Sequence, residues 1–86
     1  MAVSSGMSSE WSSVLSTRER EVAFLVARGL ANKEIARELG LSEGTVKQHI
    51  HSISLKLKAR EFLKPGARVR YTVTQLISGR PRSIEL

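Results

Sequence analysis

The stretch from Ile35 to Val46 (Ile-Ala-Arg-Glu-Leu-Gly-Leu-Ser-Glu-Gly-Thr-Val) constrains the fold of this 86-residue chain more than any other feature. Two segments with helical apolar spacing meet there across only Gly40, Leu41 and Ser42. Gly40 permits the positive φ that a sharp reversal at a helix end requires. Ser42 can cap the following helix, with its hydroxyl in reach of the amide of Gly44 or Thr45. So short a link forces the two helices into contact near the turn. That contact needs a small side chain on one helix and a stiff branched one on the other, and Ala36 and Val46 supply them. The arrangement is a helix-turn-helix.

The flanking sequence adds two more helices and no strand. Ser16-Thr17-Arg18-Glu19 has the form of a capping box. Val22, Leu25 and Val26 follow at helical spacing, and Gly29 with Leu30 forms a stop, so the first helix is expected over about 17–28. The second is expected over 32–39, with Asn32 as its cap because Ala31 has no side-chain oxygen. The third is expected over 43–58, with Val46, Ile50, Ile53 and Leu57 as one buried stripe. Residues 59–66 either extend that helix or form a separate turn, up to the breaker Pro65-Gly66. A fourth helix is expected over 67–78, with Val69, Val73, Leu76 and Ile77 on one face and Gly79 as its stop. The fold class is therefore all-α, a four-helix, bundle-like domain containing a helix-turn-helix. Three regions are expected: a flexible Ser-rich leader over 1–13, the domain over 14–79 and a basic tail over 80–86. Trp11, the one large apolar group of the leader, either folds back onto the domain or stays exposed.

Composition narrows the function classes. The chain has no cysteine and no aspartate, so disulfides, thiolate chemistry and zinc fingers are excluded, and most Mg²⁺ or Ca²⁺ cages are disfavoured. His49 and His51 point about 200° apart on a helix and make no metal pair. No serine is flanked by a base and an acid that would orient it. Neither enzymatic activity nor a cofactor is expected. No apolar run approaches the length of a membrane span, and no secretory signal is visible, so a cytoplasmic protein that does not engage a membrane is expected. Charge is the informative quantity. Residues 1–43 carry five basic and six acidic side chains, whereas residues 44–86 carry nine basic and two acidic ones. A one-sided positive field on a domain of 9.5 kDa points to a polyanion, with nucleic acid foremost. The plainer alternative is a basic surface that only aids solubility.

Four spaced blocks carry a family resemblance. They are Leu15 through Val22, Gly29 through Ala36, Leu39 through His49, and Ile53 with Lys56-Leu57. In that order they resemble the LuxR-type (GerE-type) DNA-binding domain of bacterial transcription regulators. The resemblance implies a third helix lying in the major groove of double-stranded DNA and a fourth helix forming a dimer contact. This chain departs from the family pattern at Ala31, where Ser or Thr is usual, and at Leu55, where a polar residue is common. It departs again after Leu57, where extra residues precede the fourth helix.

On that reading Lys47, Gln48 and His51 face away from the buried stripe and are expected to reach base edges. Lys47 suits guanine acceptors, and Gln48 can pair bidentately with adenine. Ser42, Gly44 and Thr45 sit at a helix N-terminus suited to a phosphate. Asn32, Lys33, His49 and Lys56 are further candidates for backbone phosphates, and the ring of His49 can instead tuck against the core. Val73, Leu76 and Ile77 are candidates for a homodimer seam. The plainer alternatives are a solvated helix face and, for the last three, a core stripe. RNA polymerase is a further candidate partner. Two other readings remain open at this point: a promoter-recognition domain of the σ-factor region-four type acting within RNA polymerase, and a protein-interaction module that has lost DNA binding.

Overall fold

The computed structural model describes residues 9–78, which form five helical segments and no strand among those residues. They are α1 (Ser9–Ser12), α2 (Thr17–Ala27), α3 (Asn32–Leu39), α4 (Glu43–Ala59) and α5 (Val69–Ser78). The all-α architecture with a helix-turn-helix is as expected. The tail over 80–86 and Gly79 lie outside the described residues. Of the expected leader, residues 9–13 are described: α1 is a single turn there, and it brings Trp11 into the core with Leu15. Hydrophobic burial of the large indole accounts for this return. The Arg20 guanidinium supports it by donating to the carbonyl of Leu15 at 2.9 Å.

Local chemistry sets the helix ends. Ser16 Oγ accepts from the amide of Glu19 at 3.1 Å, and Glu19 Oε1 accepts from the amide of Ser16 at 2.8 Å, which completes a reciprocal capping box on α2. The amides of Gly29 and Leu30 then close the helix on the carbonyls of Val26 and Leu25. Asn32, expected as the cap of α3, is instead its first residue. Ala31 holds the extended cap conformation without a side-chain acceptor, and Glu34 Oε1 takes its amide at 2.7 Å. This is half a capping box. Gly40 ends α3 at φ 69°, and Ser42 caps α4 by accepting from the amide of Thr45 at 3.1 Å.

α4 runs one residue past its expected end. The alternatives at 59–66 resolve into a turn, with Arg60 as cap and the Phe62 amide on the carbonyl of Leu57 at 2.8 Å. Glu61 occupies the left-handed region there, at φ 64°. Leu63, buried at the far side of the turn, pins the connection to the core. α5 begins at Val69 rather than near 67, because the Pro65-Gly66 turn extends to Ala67, whose amide donates to the carbonyl of Lys64.

The core gathers residues from every helix: Trp11 of α1, Val22, Ala23 and Val26 of α2, Ile35 and Ala36 of α3, Val46, Ile53 and Leu57 of α4, and Val73 of α5. Each fully buried aliphatic contributes about 1.5–3 kcal/mol relative to exposure. α2 is central and packs on α3, α4 and α5, while α3 packs on α4 across the Gly40 turn. Val73, expected as a dimer-seam residue, is only 2% exposed and belongs to this core. The inner face of α5 therefore serves the monomer first. No helix of the described residues is long and apolar enough to cross a membrane.

Candidate nucleic-acid interface

α4 presents two faces of different chemistry. Its inner stripe is anchored by Val46, Ile53 and Leu57, each at most 1% exposed. Its outer side carries Lys47, Gln48, His51 and Leu55 into solvent. Three of these four are hydrogen-bonding groups, and all of them sit on a rigid helix of 17 residues. Side chains on such a support keep the spacing needed to meet base edges in a groove. His49 and Ile50 lie half-buried at the flanks of the exposed face.

The start of α4 is preorganised. Ser42 Oγ accepts the Thr45 amide and also donates its proton to Thr45 Oγ1 at 2.9 Å. The hydroxyl of Ser42 is thereby spent inside the chain, and that of Thr45 keeps its own proton to donate. A Cβ built on Gly44 would meet only Ser42 Oγ, at 3.9 Å, so packing within the chain does not require glycine there. Lys33 is exposed in the first turn of α3. Asn32 is half-buried, and its Oδ1 accepts from the Arg70 guanidinium, which also donates to the carbonyl of Leu30 at 3.0 Å. Arg70 thus ties the turn before α3 to the start of α5.

Lys56 has a different role from the phosphate contact expected of it. Its ammonium pairs with Glu19 Oε1 at 2.8 Å. Ser52, one turn earlier on α4, donates to Glu19 Oε2 at 2.6 Å. Glu19 is the buried charged residue of the described chain, at 5% exposure. Burial alone would raise its pKa. The bonds from Lys56, Ser52 and the Ser16 amide, with the Lys56 charge, overcome that and hold it at about 2. Four groups, Ser16 and Glu19 on one segment and Ser52 and Lys56 on the other, thus lock the C-terminal half of α4 to the start of α2. One signal in the sequence pointed to this: Glu19 precedes Val22, Ala23 and Val26 at i+3, i+4 and i+7, on the inward stripe. Arg70 carried no such mark.

No cluster of three or more metal-binding side chains occurs among the described residues. The exposed large apolar groups are Phe24, Leu55 and Tyr71, one on each of α2, α4 and α5.

Residues 13–63 match the family model described as bacterial regulatory proteins, luxR family. Similar curated proteins include the nitrate/nitrite response regulator protein NarP of Escherichia coli (strain K12), 50% identical over 48 residues. That alignment covers 56% of this chain and 22% of NarP. The transcriptional regulatory protein LnrK of Bacillus subtilis (strain 168) is 44% identical over 61 residues, covering 70% of this chain and 28% of LnrK. The response regulator protein TodT of Pseudomonas putida is 52% identical over 44 residues, covering 51% of this chain and 19% of TodT. The chain thus spans under a third of the length of each of these relatives. No solved structure matches it.

Proposed function

Because the chain belongs to the luxR family of bacterial regulatory proteins, we propose that it regulates transcription by binding duplex DNA, with α4 in the major groove. The observation that carries this reading is the exposed Lys47, Gln48 and His51 face on a helix held from both ends. The Ser42 cap fixes its start, and the Glu19 node fixes its second half. Lys47, Gln48 and His51 supply sequence choice. Lys33, the Gly44 amide and the Thr45 hydroxyl anchor the flanking phosphates, with Asn32 and His49 at the edges of that surface. The family match favours this reading over the σ-factor region-four alternative.

The protein acts in the cytoplasm without a chemical step of its own. The binding unit is the packed domain that begins at Trp11 and ends with α5. A homodimer would use the outward side of α5, to which Leu76 and Ile77 lend the half of their surface that the core leaves open. Val73 takes no part in it. Two copies related by a two-fold axis would set their α4 helices about 34 Å apart, one turn of the duplex.

The test is fluorescence-anisotropy titration of mixed-sequence duplex at two salt concentrations, comparing wild type with Lys47→Ala/Gln48→Ala. Micromolar or tighter binding that the double variant loses is the expected result. With six phosphates neutralised, log K falls against log salt with a slope of about −5. Absence of binding at low salt would overturn the reading in favour of a protein-interaction module.

A further inference from the structure

The start of α5 lies beside the exposed face of α4, and the two enclose an open cleft of about 400 Å³. Its walls are Asn32 from α3, Lys47 and Ile50 from α4, Arg68 from the end of the connection, and Val69 and Arg70 from the first turn of α5. Three cations therefore meet around an apolar floor, and no carboxylate lines the cleft. The backbone adds to the positive potential, because the first turn of α5 contains no acid to offset the positive end of its dipole. Arg70 is held by neutral acceptors only, the Leu30 carbonyl and the Asn32 amide oxygen. Among the described residues the Arg68 guanidinium and the Lys47 ammonium have no hydrogen-bond or ion-pair partner within the chain, whereas Arg18 and Lys56 each pair with a glutamate. Like charges gathered at a helix N-terminus do not stabilise the isolated fold. They are offset when an anion enters.

We propose that this cleft seats a backbone phosphate of the bound duplex, with Arg68 as the contacting residue. The inference rests on the DNA-binding reading and extends it: the connection over 60–68 carries a cation to the edge of the α4 face and so widens the contact surface onto α5. A phosphodiester suits the geometry because Lys47 on the same wall is already directed toward the groove, so a strand that meets Lys47 passes the mouth of the cleft.

The experiment is anisotropy titration of the full chain with several mixed-sequence duplexes at about 50 and 200 mM salt. It compares wild type, Arg68→Ala and Arg37→Ala. Arg37, exposed near Glu34 and Glu38, controls for the loss of any positive charge. Loss of one phosphate contact reduces the magnitude of the log K against log salt slope by about 0.9, so the defect of Arg68→Ala is about threefold larger at the lower salt. That defect is equal for all sequences and is absent in Arg37→Ala. Circular dichroism verifies that both variants keep the wild-type fold.

Wild-type affinity and slope in Arg68→Ala, with Lys47→Ala/Gln48→Ala still defective, would overturn the phosphate seat and leave the DNA reading standing. A defect that depends on sequence would make Arg68 a base reader and overturn the assignment. An equal defect in Arg37→Ala would reduce it to bulk charge. Saturable calorimetric binding of inorganic phosphate that Arg68→Ala abolishes would make the cleft a small-anion site instead. Failure of wild type to bind any duplex would remove both readings together.

Discussion

Replacing Glu19 by glutamine tests the node that holds α4 against α2. The carboxylate is held at a pKa of about 2 in the folded chain, against an ordinary value of 4.5 for a free glutamate side chain. A folded pKa below the unfolded one contributes stability that is present in full above the unfolded value and is lost as pH falls toward the folded one. The difference corresponds to about 3 kcal/mol at neutral pH. This is an upper figure, because the Lys56 side chain is 42% exposed and its attraction is partly screened. A chain of this length has a total stability of about 4–13 kcal/mol, so the contribution is a large share. Between pH 6 and pH 3 wild type should lose about 2 kcal/mol through this group. Glu19→Gln lacks a titrating group there, and at pH 7 it is less stable by about 2–3 kcal/mol, having lost the charge-assisted bonds. Trp11, the single tryptophan, is buried and reports unfolding by its fluorescence. Urea titrations at pH 6, 4 and 3 then give both stabilities. If wild type loses no more stability than Glu19→Gln across that range, the carboxylate is not held low and the account of the node is wrong.

Two further substitutions separate folding from binding. Glu61→Gly should raise stability by about 1 kcal/mol, because a side chain in the left-handed region costs about 1–2 kcal/mol and glycine gives part of that back as unfolded-state entropy. Thermal melts check it, and an unchanged or lower midpoint would refute it. Gly44→Ala should raise stability by about 0.5–1 kcal/mol, since alanine is the better helix former and a Cβ there meets only Ser42 Oγ. The same variant should weaken duplex binding if the strand approaches the backbone at this point. Stability and affinity moving the same way would place the phosphate elsewhere.

Local chemistry was the legible part of this protein. The boundaries of α2, α3 and α4 follow from Ser16, Gly29, Gly40 and Ser42, whose bonds close within a few residues. Their apolar periods give the inner stripes directly. The exposed Lys47, Gln48 and His51 face followed from the same stripe by elimination. Contacts made across long chain separations left less trace. Ser52 and Lys56 meet Glu19 across more than thirty residues, and Arg70 meets Asn32 across 38. Nothing local distinguishes Lys56 from a cation meant for a phosphate, so its pairing was missed. The cap of α3 failed for a related reason. A preference for oxygen-bearing caps selected Asn32, while the chain used Glu34 from inside the helix and freed Asn32 to receive Arg70.

The placement of α5 limits how two copies of this domain can meet. Val73 fills the space beside Ala23 and Val26, and Leu63 anchors the connection that delivers it. Lending the inner face of α5 to a partner would uncover the central helix, at a cost of several kcal/mol from Val73 and its neighbours. A dimer built on α5 would therefore use the outward side of a helix only ten residues, about 15 Å, long. A stable protein interface buries about 800 Å² on each partner, more than one short helix face supplies. If the start of α5 is also occupied by a phosphate, the face is shorter still. Association of this domain alone would then be weak in solution and would become effective when adjacent half-sites hold two copies at high local concentration. Cooperativity would reside in the spacing of the DNA sites, and altering that spacing by half a helical turn would abolish it without changing the affinity of either copy for its own half-site.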